Sequence, residues 1–567
     1  MGQLGARNVK DAVKDAVKRV TWAKRPRFDG TGVGAREVER QPAIRVETIS
    51  SPAPAALLSP DDAIRFPAGF TWGVATAAYQ YEGGLTNTTW DRWERQGHIK
   101  SGDICGDACD WWRAAEPDLD RAANLGVNAL RLSIEWSRLE PRPGVWDASA
   151  IKRYREILME MRQRGIEPLV TLHHFTDPLW FADQGGFLAP DAVARFARYA
   201  ERAVIEFGDL CDFWCTINEP NIYSSFGYHL GEFPPGRNGD AAAAIRVQAA
   251  MARAHAAAYR AIHRAQPTAR VGWAHHYNLF DPFNPHSPLD RMSAAALDRA
   301  FNDFFPSALQ TGTPCFPFGL LAGDMSEVAG AYDYVGINVY ARDYVIFSWD
   351  HWAQLFGRRY VAPGAPRGDL GISAAYGEAY PNGVLRVARR ASALGKPIYV
   401  TENGVADATD RLRPWLLVEA ARAMGKALSE GIDLRGYFHW SLVDNFEWSE
   451  GWSQHFGLYA LDPATQRRTP RRSAALYRDI IRDNAVTPEM VARFAPESQR
   501  ALAAVEHVIE EPQPSRPLPI ATPIATPIAT PIAAPVAASA TQRVNTAQTA
   551  GNVEEEEDWA DEESLPA

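Results

Sequence analysis

Two short stretches carry residue types suited to acid and base chemistry. One is Thr216-Ile217-Asn218-Glu219-Pro220 and the other is Tyr399-Val400-Thr401-Glu402-Asn403-Gly404. Each closes an apolar, strand-like run on a glutamate, and Pro220 and Gly404 mark the turns that follow. A carboxylate at the end of a buried-type strand is costly unless a cleft or a partner receives it. Two facing carboxylates suit cleavage of a glycosidic bond. One protonates the leaving oxygen and the other meets the developing oxocarbenium ion. Either motif alone fits an ordinary structural acid in an ion pair, so a scaffold that brings both to one cleft is the added requirement.

The apolar periodicity supplies such a scaffold. Strands are expected at 70–77, 127–134, 167–172, 211–217, 269–275, 332–339, 396–402 and 434–441. Helical spacing falls between them, at 118–125, 151–164, 191–207, 241–265, 383–394 and 415–429, with Gly at most helix ends. Regular strand–helix alternation of this kind predicts one parallel (β/α)8 TIM barrel over residues 61–485, with helices outside. In that fold the chemistry sits at the carboxyl ends of strands. Glu82, Arg131, His174, Glu219, Tyr340, Glu402 and Trp440 all fall at or just past expected strand ends. Strands four and seven lie nearly opposite in a ring of eight, so Glu219 and Glu402 face each other across the mouth.

Composition narrows the alternatives. The chain has 567 residues, 46% hydrophobic and 23% charged, as in ordinary globular proteins. Net charge is −10, and a C-terminal run from Glu554 to Glu563 holds eight acids, so the rest is close to neutral. No basic surface for nucleic acid is expected. Five cysteines, with Cys105 and Cys109 four apart and Cys211 and Cys215 likewise, give no zinc pattern. No metal and no cofactor are implied. Free thiols in a reducing compartment, the cytoplasm, are expected, with a local Cys105–Cys109 disulfide as the alternative. No apolar run reaches the length of a membrane span, and no secretory signal pattern opens the chain.

The ends differ from the barrel. Residues 1–60 carry a four-residue repeat in which Val9, Val13, Val17 and Val20 share a helical stripe beside Lys10, Lys14 and Lys18. This extension is expected to be partly helical and otherwise disordered, with membrane-surface contact through residues 7–23 as a minor alternative. Residues 486–567 carry Ile-Ala-Thr-Pro repeats and the acidic run, which predict an extended linker and a disordered tail.

With both glutamate motifs in place, the chain from Phe66 to Asp483 resembles glycoside hydrolase family 1, the β-glucosidase and β-galactosidase family. The likeness also takes in the opening Phe70-Thr71-Trp72-Gly73-Val74-Ala75-Thr76-Ala77-Ala78-Tyr79-Gln80-Tyr81-Glu82-Gly83 and the late Trp440-Ser441-Leu442-Val443-Asp444-Asn445-Phe446-Glu447-Trp448. The resemblance implies a retaining mechanism with Glu402 as nucleophile and Glu219 as acid/base, and a separation of about 5–5.5 Å between the carboxyl groups. It implies sugar contacts by Gln80, His174, Asn218, Tyr340, Trp440, Glu447 and Trp448. It sets Arg131 and Asn338 beside the nucleophile as support, and Tyr340 matches a residue there too.

The implied substrate is a β-linked glucoside, galactoside or fucoside, or an oligosaccharide, cut at its non-reducing end. An acid at Glu447 disfavours 6-phosphorylated sugars, and an acid at position 219 favours O-glycosides over thioglucosides. A transglycosidase with the same residues is the alternative within this chemistry, and a non-catalytic sugar-binding protein is the alternative outside it. The sequence departs from the family's usual pattern at Val339, Trp111 and His455, and in the loops 280–317 and 341–381, which are expected to line the leaving-group side.

Overall fold

The computed structural model describes residues 63–369 and 377–500. The N-terminal repeat, its membrane-contact alternative, the Pro-rich stretch and the acidic run all lie outside the described residues. Eight strands form the centre: β1 Thr71–Ala75, β2 Ala129–Ser133, β3 Glu167–His173, β4 Phe213–Asn218, β5 Arg270–Pro282, β6 Tyr334–Phe347, β7 Ile398–Asn403 and β8 Leu434–His439. Each pairs in parallel with its neighbours, β7 pairs with both β6 and β8, and β8 pairs with β1, so the ring closes. Closure leaves none of the eight barrel strands at an unpaired edge.

The outer helices are α1 Glu116–Leu125, α2 Ala148–Gln163, α3 Ala192–Phe207, α4 Ala241–Ala265, α5 Pro288–Asn302, α6 Gly383–Ser392, α7 Leu412–Ser429 and α8 Arg472–Asp483. Side-chain caps start several of them. Asp147 accepts from the amides of Ser149 and Ala150, and Asp240 accepts from that of Ala243. Gly126 ends α1 at φ 80°, a conformation that costs glycine little.

The barrel interior is filled by alternating small and large residues. A Cβ on Gly73 would lie 2.4 Å from the ring of Phe438, and one on Gly272 would lie 2.7 Å from the ring of Tyr334. Phe213, Tyr334 and Tyr399 close the lower interior, with ring centroids 4.9–5.5 Å apart. The barrel is therefore a packed core with its opening at the carboxyl ends of the strands.

Three features lie beyond the sequence reading. β5 and β6 run well past the barrel, and Gly357–Tyr360 and Glu378–Ala379 add antiparallel to β6. Helix α5 sits in a stretch that carried no expected element. The folded chain also continues past the expected boundary at residue 485. Ala485–Val486 pairs antiparallel with Ile64–Arg65, and a helix at Pro488–Phe494 buries Met490, Val491 and Phe494. The periodic pattern of α8 stops at Asp483, and these contacts lie just beyond it.

A chain ending at residue 485 is expected to lose about 5 kcal/mol of burial from those three side chains. Its thermal midpoint should fall by about 5 °C relative to a chain ending at residue 500, measured by circular dichroism.

Candidate active site

β4 and β7 deliver the two glutamates, and both strands depart from regular pairing just before doing so. In a strand, side chains alternate between faces. Phe213 and Cys215 point into the barrel, so Asn218 should point outward, and Glu402 should oppose Tyr399. The β4–β5 register shifts between Cys215 and Asn218, and the β6–β7 register shifts between Val400 and Glu402. These irregularities turn Asn218 and Glu402 inward, a use of bulges common beside active sites. Glu219 then takes a left-handed conformation, φ 44° and ψ 62°, before Pro220 opens the helix Pro220–Tyr228. A non-glycine residue held there is strained, and such strain persists only where its surroundings enforce it.

Glu402 is buried and held on both oxygens. Arg131 Nη1 donates to Oε1, and the Tyr340 hydroxyl donates to Oε2 at 2.6 Å. Arg131 is fully buried on β2 and its other donors are occupied as well. Nη2 donates to Asn218 Oδ1 at 2.6 Å, and Nε donates to Thr171 Oγ1 at 3.0 Å. Burial pushes the Glu402 carboxyl up to about 7. Arg131 opposes that rise, the charge of Glu219 adds to it, and Tyr340 holds it back.

Glu219 is bonded differently. Its Oε1 accepts from Asn338 Nδ2 at 2.7 Å and lies 3.1 Å from His276 Nδ1. Asn338 was expected beside the nucleophile. Its Cα is the register partner of Glu402, but its side chain donates to Glu219 and, at 3.2 Å, to Asn218 Oδ1. Thr401 fixes that amide by donating to Asn338 Oδ1 at 2.6 Å. The two glutamates therefore belong to one network, joined through Arg131, Asn218 and Asn338.

Most of the remaining expected residues form a cluster linked to this pair through Asn218 and His174. Asn218 Nδ2 donates to His174 Nε2 at 3.0 Å. Burial, with Arg131 and His173 nearby, holds His174 well below the usual histidine range, so the ring is neutral. Its Nδ1 has no protein partner among the described residues. Gln80 Nε2 donates to Asn445 Oδ1, the Phe446 carbonyl and Glu447 Oε2 at 2.8–3.0 Å, while Gln80 Oε1 is buried without a partner. Trp440 is tilted beside His174, with ring centroids 6.1 Å apart. Trp448 is enclosed by rings, lying 5.8 Å from His174, 4.8 Å from Trp90 and 5.1 Å from Phe175.

Glu82 stands apart from this set. It ends the short helix Ala78–Glu82, not a strand, and is bound by Arg138 and Tyr154 at 2.6 Å each. Trp111 donates to Asp118 at 2.8 Å, away from the glutamate pair. All five cysteines are unpaired, so the Cys105–Cys109 disulfide does not form.

Sequence reading missed His276 and Thr401. The fifth strand was expected to end at His275, and one more residue places His276 on the rim. Thr401 stood inside a recognised motif, but its partner across the sheet was not legible.

Comparisons with known proteins show the family and the fold. The family profile described as Glycosyl hydrolase family 1 matches residues 62–486. The chain is 32% identical to a β-galactosidase of Pyrococcus woesei over 506 residues, covering 75% of this chain and 98% of that protein. It is 30% identical to β-glucosidase A of Thermotoga maritima, covering 74% and 98%. Among solved structures, a β-glycosidase from Pyrococcus horikoshii matches with a TM-score of 0.70 at 33% identity, covering 76% of this chain and 98% of that one. The Thermotoga maritima β-glucosidase in complex with deoxynojirimycin matches with a TM-score of 0.70 at 30% identity, covering 74% and 99%. The chain thus belongs to glycoside hydrolase family 1 and is a β-glycosidase of the β-glucosidase type.

Proposed function

We propose that the chain is a retaining enzyme that removes β-D-glucosyl, galactosyl or fucosyl units from the non-reducing ends of O-glycosides. The observation that carries this reading is the unequal bonding of the two glutamates. Glu402 receives a charged donor on one oxygen and a hydroxyl on the other, an arrangement that favours a carboxylate. On Glu219 both nearby nitrogens approach the same oxygen, and no described group bonds to Oε2. One residue is equipped to hold charge, and the other keeps an oxygen available to carry a proton.

In the first step Glu402 attacks the anomeric carbon while Glu219 protonates the departing glycosidic oxygen. The carbon–oxygen bond to the aglycone breaks and a glycosyl ester forms on Glu402. In the second step Glu219 takes a proton from water, the hydroxide so generated attacks the anomeric carbon, and Glu402 is released.

The sugar contacts follow from groups without protein partners. The orphaned Gln80 Oε1 accepts from a sugar hydroxyl beside Glu447, and the orphaned His174 Nδ1 donates to another. Asn218 binds the 2-hydroxyl next to Arg131, and Trp440 provides the apolar face under the ring. The relatives named β-galactosidase and β-glucosidase, and the neighbour that holds deoxynojirimycin, support a glycoside substrate. Five buried, unpaired thiols support a reducing, cytoplasmic location. No described helix is long and apolar enough to cross a membrane.

Replacing Glu402 by Ala should lower kcat on nitrophenyl β-glucoside by about 10⁴-fold or more. Azide or formate, entering the vacated space, should restore part of it; full activity in the variant would exclude Glu402 as nucleophile.

The acid limb of kcat/KM should reflect the same residue. Glu402 attacks only when ionised, and burial beside Glu219 raises its carboxyl above the ordinary glutamate range. Activity should therefore fall with decreasing pH along a limb that lies above the ordinary glutamate range. Removing the Tyr340 hydroxyl in Tyr340→Phe withdraws a donor to the carboxylate and should move that limb upward by about one unit. A limb that stays near the ordinary glutamate value in both proteins would contradict the assignment.

A further inference from the structure

His276 is a titratable side chain at the glutamate pair that the reaction above leaves without a task. It lies on β5 with its Nδ1 3.1 Å from Glu219 Oε1. Its ring is stacked on Tyr340, with centroids 5.8 Å apart and planes 17° apart, and meets the edge of Phe301 at 5.9 Å. Its backbone carbonyl accepts from Asn221 Nδ2 at 2.8 Å. The ring is thus fixed by contacts from β6 and α5, and its backbone is held by the helix after Glu219.

The groups facing it are few. Glu219 comes from the end of β4 and Tyr340 from β6, with Glu402 bonded to the far side of the Tyr340 hydroxyl. His275 precedes it on β5 and is held well below the usual histidine range by burial, with His276 adding to the effect. α5 contributes Phe301, and the helix Pro220–Tyr228 contributes Asn221. Neither is charged.

Glu219 Oε1 already accepts from Asn338 Nδ2. A bare lone pair on Nδ1 would repel an oxygen in that state, so Nδ1 carries hydrogen and donates. Two donors on one oxygen leave the other as the proton carrier. We propose that His276 is a positioning residue for Glu219: together with Asn338 it saturates Oε1, directs the transferable proton to Oε2, and strengthens Glu219 as an acid. This rests on reading Glu219 as the acid/base. Donation to the carboxylate favours the ionised form, so the bond makes proton release to a poor leaving group easier.

The test uses the full chain and His276→Phe, which keeps a ring against Tyr340 and removes the donor. The alkaline limb of kcat/KM reports loss of the acid's proton and should move up by about one unit. On an alkyl β-glucoside, whose leaving group needs the proton, kcat/KM should fall about tenfold. On 2,4-dinitrophenyl β-glucoside, whose leaving group departs unaided, the loss should be about threefold at most. Equal losses on both substrates with an unmoved limb would reduce His276 to packing and overturn the proposal.

If the Phe variant does not fold, ¹⁵N spectra of histidine-labelled wild-type protein decide. Hydrogen on Nδ1, with a resonance that shifts in Glu219→Gln, supports the proposal, and hydrogen on Nε2 alone overturns it. Glu219→Gln also separates the two readings. A variant that loses the alkyl substrate far more than the dinitrophenyl one upholds Glu219 as the acid. Equal effects on both would sink that assignment whatever His276 does.

Discussion

A buried guanidinium organises the centre of this barrel. Arg131 sits on β2 with no exposed surface, and burying a charge of that kind is expensive unless every donor is met. Glu402 supplies the counter-charge, Asn218 and Thr171 take the remaining bonds, and Cys215 lies against Nη2 at 3.8 Å. These partners come from three other strands, β3, β4 and β7. The closure of the barrel and the pairing of the charge therefore depend on each other, since an opened ring would strand a cation in apolar surroundings.

The same arrangement explains how two similar side chains come to differ. Glu402 lies against Arg131, and Glu219 lies one network step away, behind Asn338. Asn338 and Thr401 form the partition, with the threonine orienting the amide so that its NH₂ faces Glu219 and Asn218. Burial raises the proton affinity of Glu402, and Arg131 with Tyr340 opposes that rise. The charge of Glu402 therefore depends on how closely Arg131 and Tyr340 hold it.

Much of this was legible in the residue order. The eight strand–helix alternations follow from apolar periodicity, and helix α4 falls on the bounds expected for it, Ala241–Ala265. The expectation that Gln80, His174, Trp440 and Glu447 belong to one site rests on motifs whose order along the chain is itself a constraint, and His174 does bond Asn218 beside Glu219. The sequence did not disclose the irregular pairing ahead of Asn218 and Glu402. Simple alternation from Phe213 or Tyr399 aims both the wrong way, because register depends on a neighbouring strand. Asn338 shows a related limit. Its backbone is beside Glu402, yet its side chain crosses to Glu219. The extensions of β5 and β6 and the segment after Asp483 escaped because their contacts are with distant elements, such as Ile64 with Val486.

The small antiparallel pair between Ile64–Arg65 and Ala485–Val486 has a practical side. It lies where β1 begins and α8 ends, so both ends of the barrel's chain emerge at the base, opposite the mouth that holds the glutamates. A carrier, a solid support or a fused domain joined directly ahead of Ile64 would hang from the floor of the barrel. Such an attachment point faces away from the glutamate pair.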